Sequence, residues 1–248
     1  MRTFLIALVA IASIASASAA DLKLLTAGAY KSAAQALVPE FEQKTGHKVT
    51  IENDTAGALA RRAAGGEYFD VLVIPPAAMA PMLGKQLVES SAKPLARVGI
   101  GVAIKQGAPV PDISTVDAWK KSLLAARAIA YTDPASGGTA GAYLANLFEK
   151  MGIAAELKPK SVLVKGGLAA EKLINGEADI AMQPASELLA VAGAQLVGPI
   201  PLDVQTYILY SGAASTASRN SAAADELLRH LGDPRNLAVL KSKGLDGP

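Results

Sequence analysis

Apolar and polar positions alternate along the chain between two periods. The run "LKLLTA" (22–27) predicts a buried strand. The segment "SAAQALVPEFEQKTG" then predicts a helix, with Leu37 and Phe41 on one face and Gly46 as its stop. "HKVTIEN" alternates as a strand, and "GALARRAAGG" predicts a short helix closed by Gly65 and Gly66. "FDVLVI" is apolar enough for a central strand, and "RVGIGVAIK" (97–105) is another. Ser114, with Asp117 three residues on, predicts a capped helix through Trp119 and Leu123. "RAIAYTD" is a strand and "TAGAYLANLFEKMG" a helix ended by Gly152. "SVLVK", "DIAMQ" and "TYILYSG" predict strands joined by helix-like segments, and "AAADELLRHLG" a C-terminal helix. This alternation predicts an α/β fold with mostly parallel sheets.

In such sheets, ligands sit beyond the carboxyl ends of strands, against helix N-termini. Four strand-to-helix turns qualify: "TAGAYKSA", "NDTAGALARR", "TDPASGGTAG" and "MQPASELL". Each is rich in small residues, which let a ligand approach the backbone. The first N–H groups of a helix lack an internal partner and carry the positive end of its dipole. One such turn is ordinary in any α/β protein; the set predicts a cleft for an anion.

The amino-terminal end changes the setting. In "MRTFLIALVAIASIASASAA" one basic residue precedes an apolar run from Phe4 to Ala15 and then small residues. That is the pattern of a cleavable signal peptide over residues 1–20, too short in its apolar part to span a bilayer. The expected location is the periplasm. The chain has 24 Lys and Arg against 22 Asp and Glu, which is no footprint for nucleic acid or an anionic membrane. It has no cysteine, so it lacks disulfides and thiol chemistry. No helical segment after the leader is long and apolar enough for membrane insertion.

Five stretches carry a resemblance. "LVPEFEQKTGHKVTI", "GALARRAAGGEYFDVLVI", "YTDPASGGTAGAYLANLFEKMG", "GEADIAMQPASELLA" and "LLRHLGDPRNLAVLKSKGL" resemble periplasmic solute-binding proteins of the type II fold. They are most similar to the molybdate-binding proteins of ABC importers. The resemblance implies two lobes, two hinge strands and an interlobe cleft. The hinges would fall near Arg97–Gly101 and Asp203–Tyr207. One lobe would combine residues 21–98 and 206–248, and the other would be residues 99–205. It also implies a monomer that presents a small anionic ligand to an ABC permease, with no cofactor.

The ligand-binding positions carried over are Ala29, Tyr30, Lys31, Thr55, Gly57, Ser136, Gly137, Gly138, Thr139, Lys165, Gly166 and Gln183. Three hydroxyl donors of the molybdate pattern are missing. Ala29 stands where that group has a serine, Ala56–Ala58 where it has another, and Pro184 where it has a tyrosine. Missing hydroxyls weaken a site for a tetrahedral metal oxyanion, at about 1–3 kcal/mol for each group left unsatisfied. Lys31 and Lys165 are added cations at two turns, and cations suit a di- or tricarboxylate. Tyr30 and Tyr143 are candidates to face the cleft; Arg61 and Arg62 adjoin on one helix, so one at most points inward.

"GAPVPDISTVDAW" and "AIAYTDPASG" are similar to an aconitate-isomerase-like branch of the same family. Two readings therefore share one cleft: a carrier of an organic anion, placed first, and an isomerase of an unsaturated tricarboxylate. A periplasmic sensor is a third. Isomerisation needs a base that takes a proton beside a carboxylate and returns it at the other allylic carbon. Lys31, Lys165, Tyr30 and Glu67 are its candidates, with Lys31 and Lys165 foremost. His47 and His230 are expected at the surface, and with no cysteine and no paired histidines no metal site is expected. "GGTAG" lacks the lysine of a nucleotide loop, and "PASGG" is not a nucleophile elbow.

Overall fold

A computed structural model of the chain describes residues 19–248; residues 1–18, most of the expected signal peptide over 1–20, lie outside the described residues. The first half of the order is β1 (Asp21–Ala27), α1 (Gly28–Thr45), β2 (Lys48–Asp54), α2 (Ala56–Ala64), β3 (Val71–Ile74), α3 (Pro76–Met79) and β4 (Lys93–Lys105). The middle contains α4 (Val116–Ala125), β5 (Ile129–Thr132), α5 (Thr139–Lys150), α6 (Ala154–Leu157), β6 (Ser161–Val164), α7 (Glu171–Ile174), β7 (Ile180–Pro184), α8 (Ala185–Leu188) and β8 (Ala194–Pro199). The end comprises β9 (Tyr207–Ala214), α9 (Ser221–Leu231) and α10 (Leu237–Ser242).

The strands run β2-β1-β3-β9-β4-β7-β5-β6, with β8 also on β4. β4 divides its partners. Its first half, Lys93–Gly99, pairs with β9, and its second half, from Ile100, pairs with β7 and β8. The chain thus passes from one sheet to the other within one strand and returns through the segment between β8 and β9. Gln205 ties that return to the outgoing strand: its side chain accepts from the Ile100 amide (3.0 Å) and donates to the Ile100 carbonyl (2.8 Å). The result is the two-lobed type II fold, with a cleft between the lobes.

The sheets are mixed rather than mostly parallel. β1–β2, β1–β3, β5–β6 and β5–β7 are parallel, whereas every pairing of β4 and β9 is antiparallel. The crossing strands enter each sheet against the direction of the βαβ units. β8 has no counterpart in the predicted elements; its "AQLVGP" is short and ends on Gly198 and Pro199.

Local chemistry explains the elements that carry the cleft. α1 buries Tyr30, Ala34, Leu37 and Phe41, the i, i+4, i+7, i+11 stripe of an amphipathic helix. Gly46 ends it in the left-handed conformation (φ 77°), where its amide donates to the Glu42 carbonyl. α4 is capped by Thr115, which accepts from the Ala118 amide at 3.1 Å; Ser114 instead bonds Asp112. The histidines are less exposed than expected: His47 is buried and His230 half-buried. His47 Nδ1 accepts from the Ala20 amide, and His230 Nε2 lies 2.9 Å from the Leu37 carbonyl. Both pack on the Phe41 ring, which recruits them as structural groups.

Candidate functional site

The cleft between the two sheets encloses about 350 Å³, a volume suited to a small ligand. Its walls come from the four turns singled out in the sequence. Ala27–Ala29 and Lys31 come from the start of α1, Asn53–Ala56 from the turn into α2, Gly138–Ala140 from the start of α5, and Gln183, Pro184, Ser186 and Glu187 from the turn into α8. The loop Gly166–Leu168 and Tyr210 of β9 complete it.

Two helix N-termini open into this space from opposite lobes. Neither α1 nor α5 has a side-chain cap, so their first amides are left to a ligand. α2 differs: the Thr55 side chain accepts from the Ala58 amide and uses one of its free donors. Close backbone packing sets the height of the α5 terminus. A Cβ on Gly141 would lie 2.1 Å from the Thr132 carbonyl, so only glycine lets α5 start directly over β5.

The lobes touch along the cleft rim. The Thr55 hydroxyl donates to the Ser136 carbonyl at 2.6 Å, and the Gly57 amide donates to the Gly137 carbonyl at 3.1 Å. Gly57 and Gly137 meet backbone to backbone, because a Cβ on either would lie within 3 Å of the other's Cα. On the inner side, the buried Ser186 hydroxyl donates to the Ala29 carbonyl at 2.7 Å. These contacts describe a closed arrangement.

Of the twelve positions carried over by resemblance, Ala29, Lys31, Thr55, Gly138, Thr139, Gly166 and Gln183 line the cleft. Gly57, Ser136 and Gly137 form the rim contact instead. Gln183 is a scaffold: its carbonyl accepts from the Ala169 amide, and its amide donates to Thr132 Oγ1 and the Gly167 carbonyl. Tyr30 is turned away and fully buried in the core, because it shares the apolar stripe of α1. Lys165 is exposed and does not line the cleft. Tyr143 donates to the Val204 carbonyl of the returning segment.

Two further candidates are tied up elsewhere. Arg62 bonds Glu52 and Glu67, and Lys23 also bonds Glu67 at 2.8 Å. Hydrogen bonds from Arg62 and then Lys23 pull the Glu67 carboxyl down to about 2, so it cannot serve as a base of moderate strength. Arg61 stays outside the cleft wall.

Glu187 lies in the turn "MQPASELL" but is not among the candidate residues. The residue keeps partial contact with the cleft, but its carboxyl is recessed against the start of α1. A Cβ on Gly28 would lie 2.2 Å from its Oε1. Among the described residues no cation pairs with it, and burial pushes it up to about 8. Burial also raises the Tyr210 phenol, and the nearby Glu187 charge raises it further. Of the other wall carboxylates, Asp54 accepts from the Thr55 amide and faces Arg62 at 3.9 Å, and Glu171 is exposed. Lys31 is the one cation in the wall, and among the described residues it has no carboxylate partner.

Fold and cleft together are those of a two-lobed solute-binding protein. Residues 22–246 match the family model described as bacterial extracellular solute-binding protein, and the chain belongs to that family. An aconitate isomerase from Pseudomonas sp is 33% identical over 231 residues, covering 90% of this chain and 87% of that one. The periplasmic molybdate-binding protein of Azotobacter vinelandii superposes with a TM-score of 0.77 at 18% identity, over 92% of this chain and 99% of that one. PEB3 from Campylobacter jejuni, with L-phospholactate bound, superposes at 0.68 with 17% identity, over 92% of this chain and all of its own.

Proposed function

We propose that the protein is a periplasmic isomerase of a small unsaturated tricarboxylate of the aconitate type, acting in the interlobe cleft. The observation that carries the reading is the pairing of two uncapped helix N-termini, on facing lobes, with the unpartnered Lys31. Those donors come from both lobes, which suits a ligand with carboxylates at more than one end. The absent hydroxyls at Ala29, Ala56–Ala58 and Pro184 argue against a compact metal oxyanion. The 33% identity to an aconitate isomerase across most of both chains supports the choice of substrate class.

The carrier reading keeps a specific support: membership in a solute-binding family with rim contacts that close over a ligand. In that reading a monomer delivers the same anion to an ABC permease. The two are separated by incubating the purified mature protein with trans-aconitate or with cis-aconitate and quantifying both isomers by chromatography. The isomerase reading requires approach to one mixture from both sides. Tight binding with no change in either isomer leaves the carrier.

A further inference from the structure

Glu187 is a carboxyl placed where a site for anions should avoid one. It enters the cleft from α8 and packs against Gly28 at the start of α1. Ser186 beside it bonds the Ala29 carbonyl and fixes α8 against α1, so the position of the carboxyl is built rather than incidental. Gly28 supports this: any side chain there would occupy the space of Glu187 Oε1. A permanently ionised group at that point would repel a bound carboxylate. A group that holds a proton removes the repulsion, and one that exchanges it performs work.

We propose that Glu187 is the catalytic residue that moves the proton during isomerisation; this rests on the isomerase reading above. In the ionised form, a Glu187 oxygen accepts a proton from the methylene that lies between a carboxylate and the alkene carbon. The C–H electron pair becomes the new C=C bond. The electrons of the old C=C bond form a new C–H bond at the far carbon, taking the same proton back from Glu187. Atoms and electrons balance within substrate and side chain, and no oxidant or co-reactant is required. Lys31 and the amides of α1 and α5 hold the carboxylates into which the negative charge spreads.

A carboxyl pushed up to about 8 is a far stronger base than a solvated glutamate and still ionises near neutral pH. The charged or titratable groups in the same wall are Lys31 of α1, Asp54 after β2, Glu171 of α7 and Tyr210 of β9. β7 brings only the neutral Gln183 and Pro184 to the cleft, and β4 and β8 bring no residue to it. The segment after α10 meets α8 through Gly244.

The test compares the wild-type protein with Glu187→Gln, using trans-aconitate as the probe. The substitution should lower kcat by about 10²- to 10⁴-fold, the usual contribution of a positioned acid–base group. The dissociation constant should change by less than about tenfold, since shape and hydrogen-bonding capacity are kept. Wild-type kcat/KM should rise about tenfold per pH unit below the Glu187 midpoint and level off above it. A Glu187→Gln protein that binds and turns over like the wild type overturns the assignment alone. A wild-type protein that binds trans-aconitate and never converts it overturns the isomerase reading and this assignment together.

Discussion

The Gly57–Gly137 contact makes a prediction that separates closure from folding. Gly57 is the second residue of α2 and has an ordinary helical backbone, so alanine there suits the helix itself, by about 0.5–1 kcal/mol relative to glycine. In the closed arrangement, however, the new Cβ would lie 2.9 Å from Gly137 Cα and 3.2 Å from the Gly137 carbonyl oxygen. Both are backbone atoms and cannot swing aside, and ordinary contact begins near 3.4 Å. The lobes must therefore part by roughly half an ångström or more at the rim, given the steepness of the repulsion. That separation strains the Gly57–Gly137 hydrogen bond (3.1 Å) and the Thr55–Ser136 hydrogen bond (2.6 Å). At about 0.5–1.5 kcal/mol net for each, the closed state loses about 1–3 kcal/mol. Ligand affinity that depends on closure should fall about 5- to 150-fold. Calorimetric titration of Gly57→Ala with trans-aconitate should show that loss, while the melting temperature of the free protein should not drop in proportion. Small-angle scattering of the liganded variant should give a larger radius of gyration than the liganded wild type. Wild-type affinity with an unchanged scattering profile would refute closure through this contact.

Three further outcomes follow from the site and the surface. Lys31→Ala should weaken trans-aconitate binding about 10- to 100-fold, the loss of one charge-assisted contact of about 1.5–3 kcal/mol; unchanged affinity would remove Lys31 from the site. Millimolar molybdate should leave the melting temperature unchanged, whereas trans-aconitate at a hundred times its Kd should add about 2.7 kcal/mol; a clear molybdate shift would contradict the reading of the missing hydroxyls. Glu67 is an acid held down to about 2 by Arg62 and Lys23, so its stabilisation is present above the ordinary glutamate range and fades as pH falls toward 2. Its partial exposure limits the effect, and Glu67→Gln should cost about 1–2 kcal/mol in urea unfolding at pH 7 and little near pH 2; an equal cost at both would refute the electrostatic cause.

The sequence made the cleft legible and left its inner acid hidden, for physical reasons. A strand that ends in small residues before a helix announces free backbone amides, and all four such turns line the cleft or its rim. The apolar stripe of α1 was also present in the sequence, and followed back from Leu37 and Phe41 it reaches Tyr30; that period turns Tyr30 inward and leaves Lys31 on the neighbouring face. Glu187 carries no such mark. Its neighbour Ser186 meets Ala29 across 157 positions of chain, and only tertiary packing brings the two turns together. Tyr210 reads as one more apolar position in "TYILYSG", since burial and the cleft lie on the same side of β9. Lys165 shows the converse: a lysine at a turn looked like a ligand group, but the turn presents Gly166 to the cleft and sends the lysine to solvent.

A cleft that isomerises its ligand must turn it over. In a proton NMR time course of the purified protein with trans-aconitate, cis-aconitate signals should grow at a rate proportional to protein concentration. Broadened trans-aconitate signals that never give way to cis-aconitate would contradict turnover and leave a carrier of the same anion.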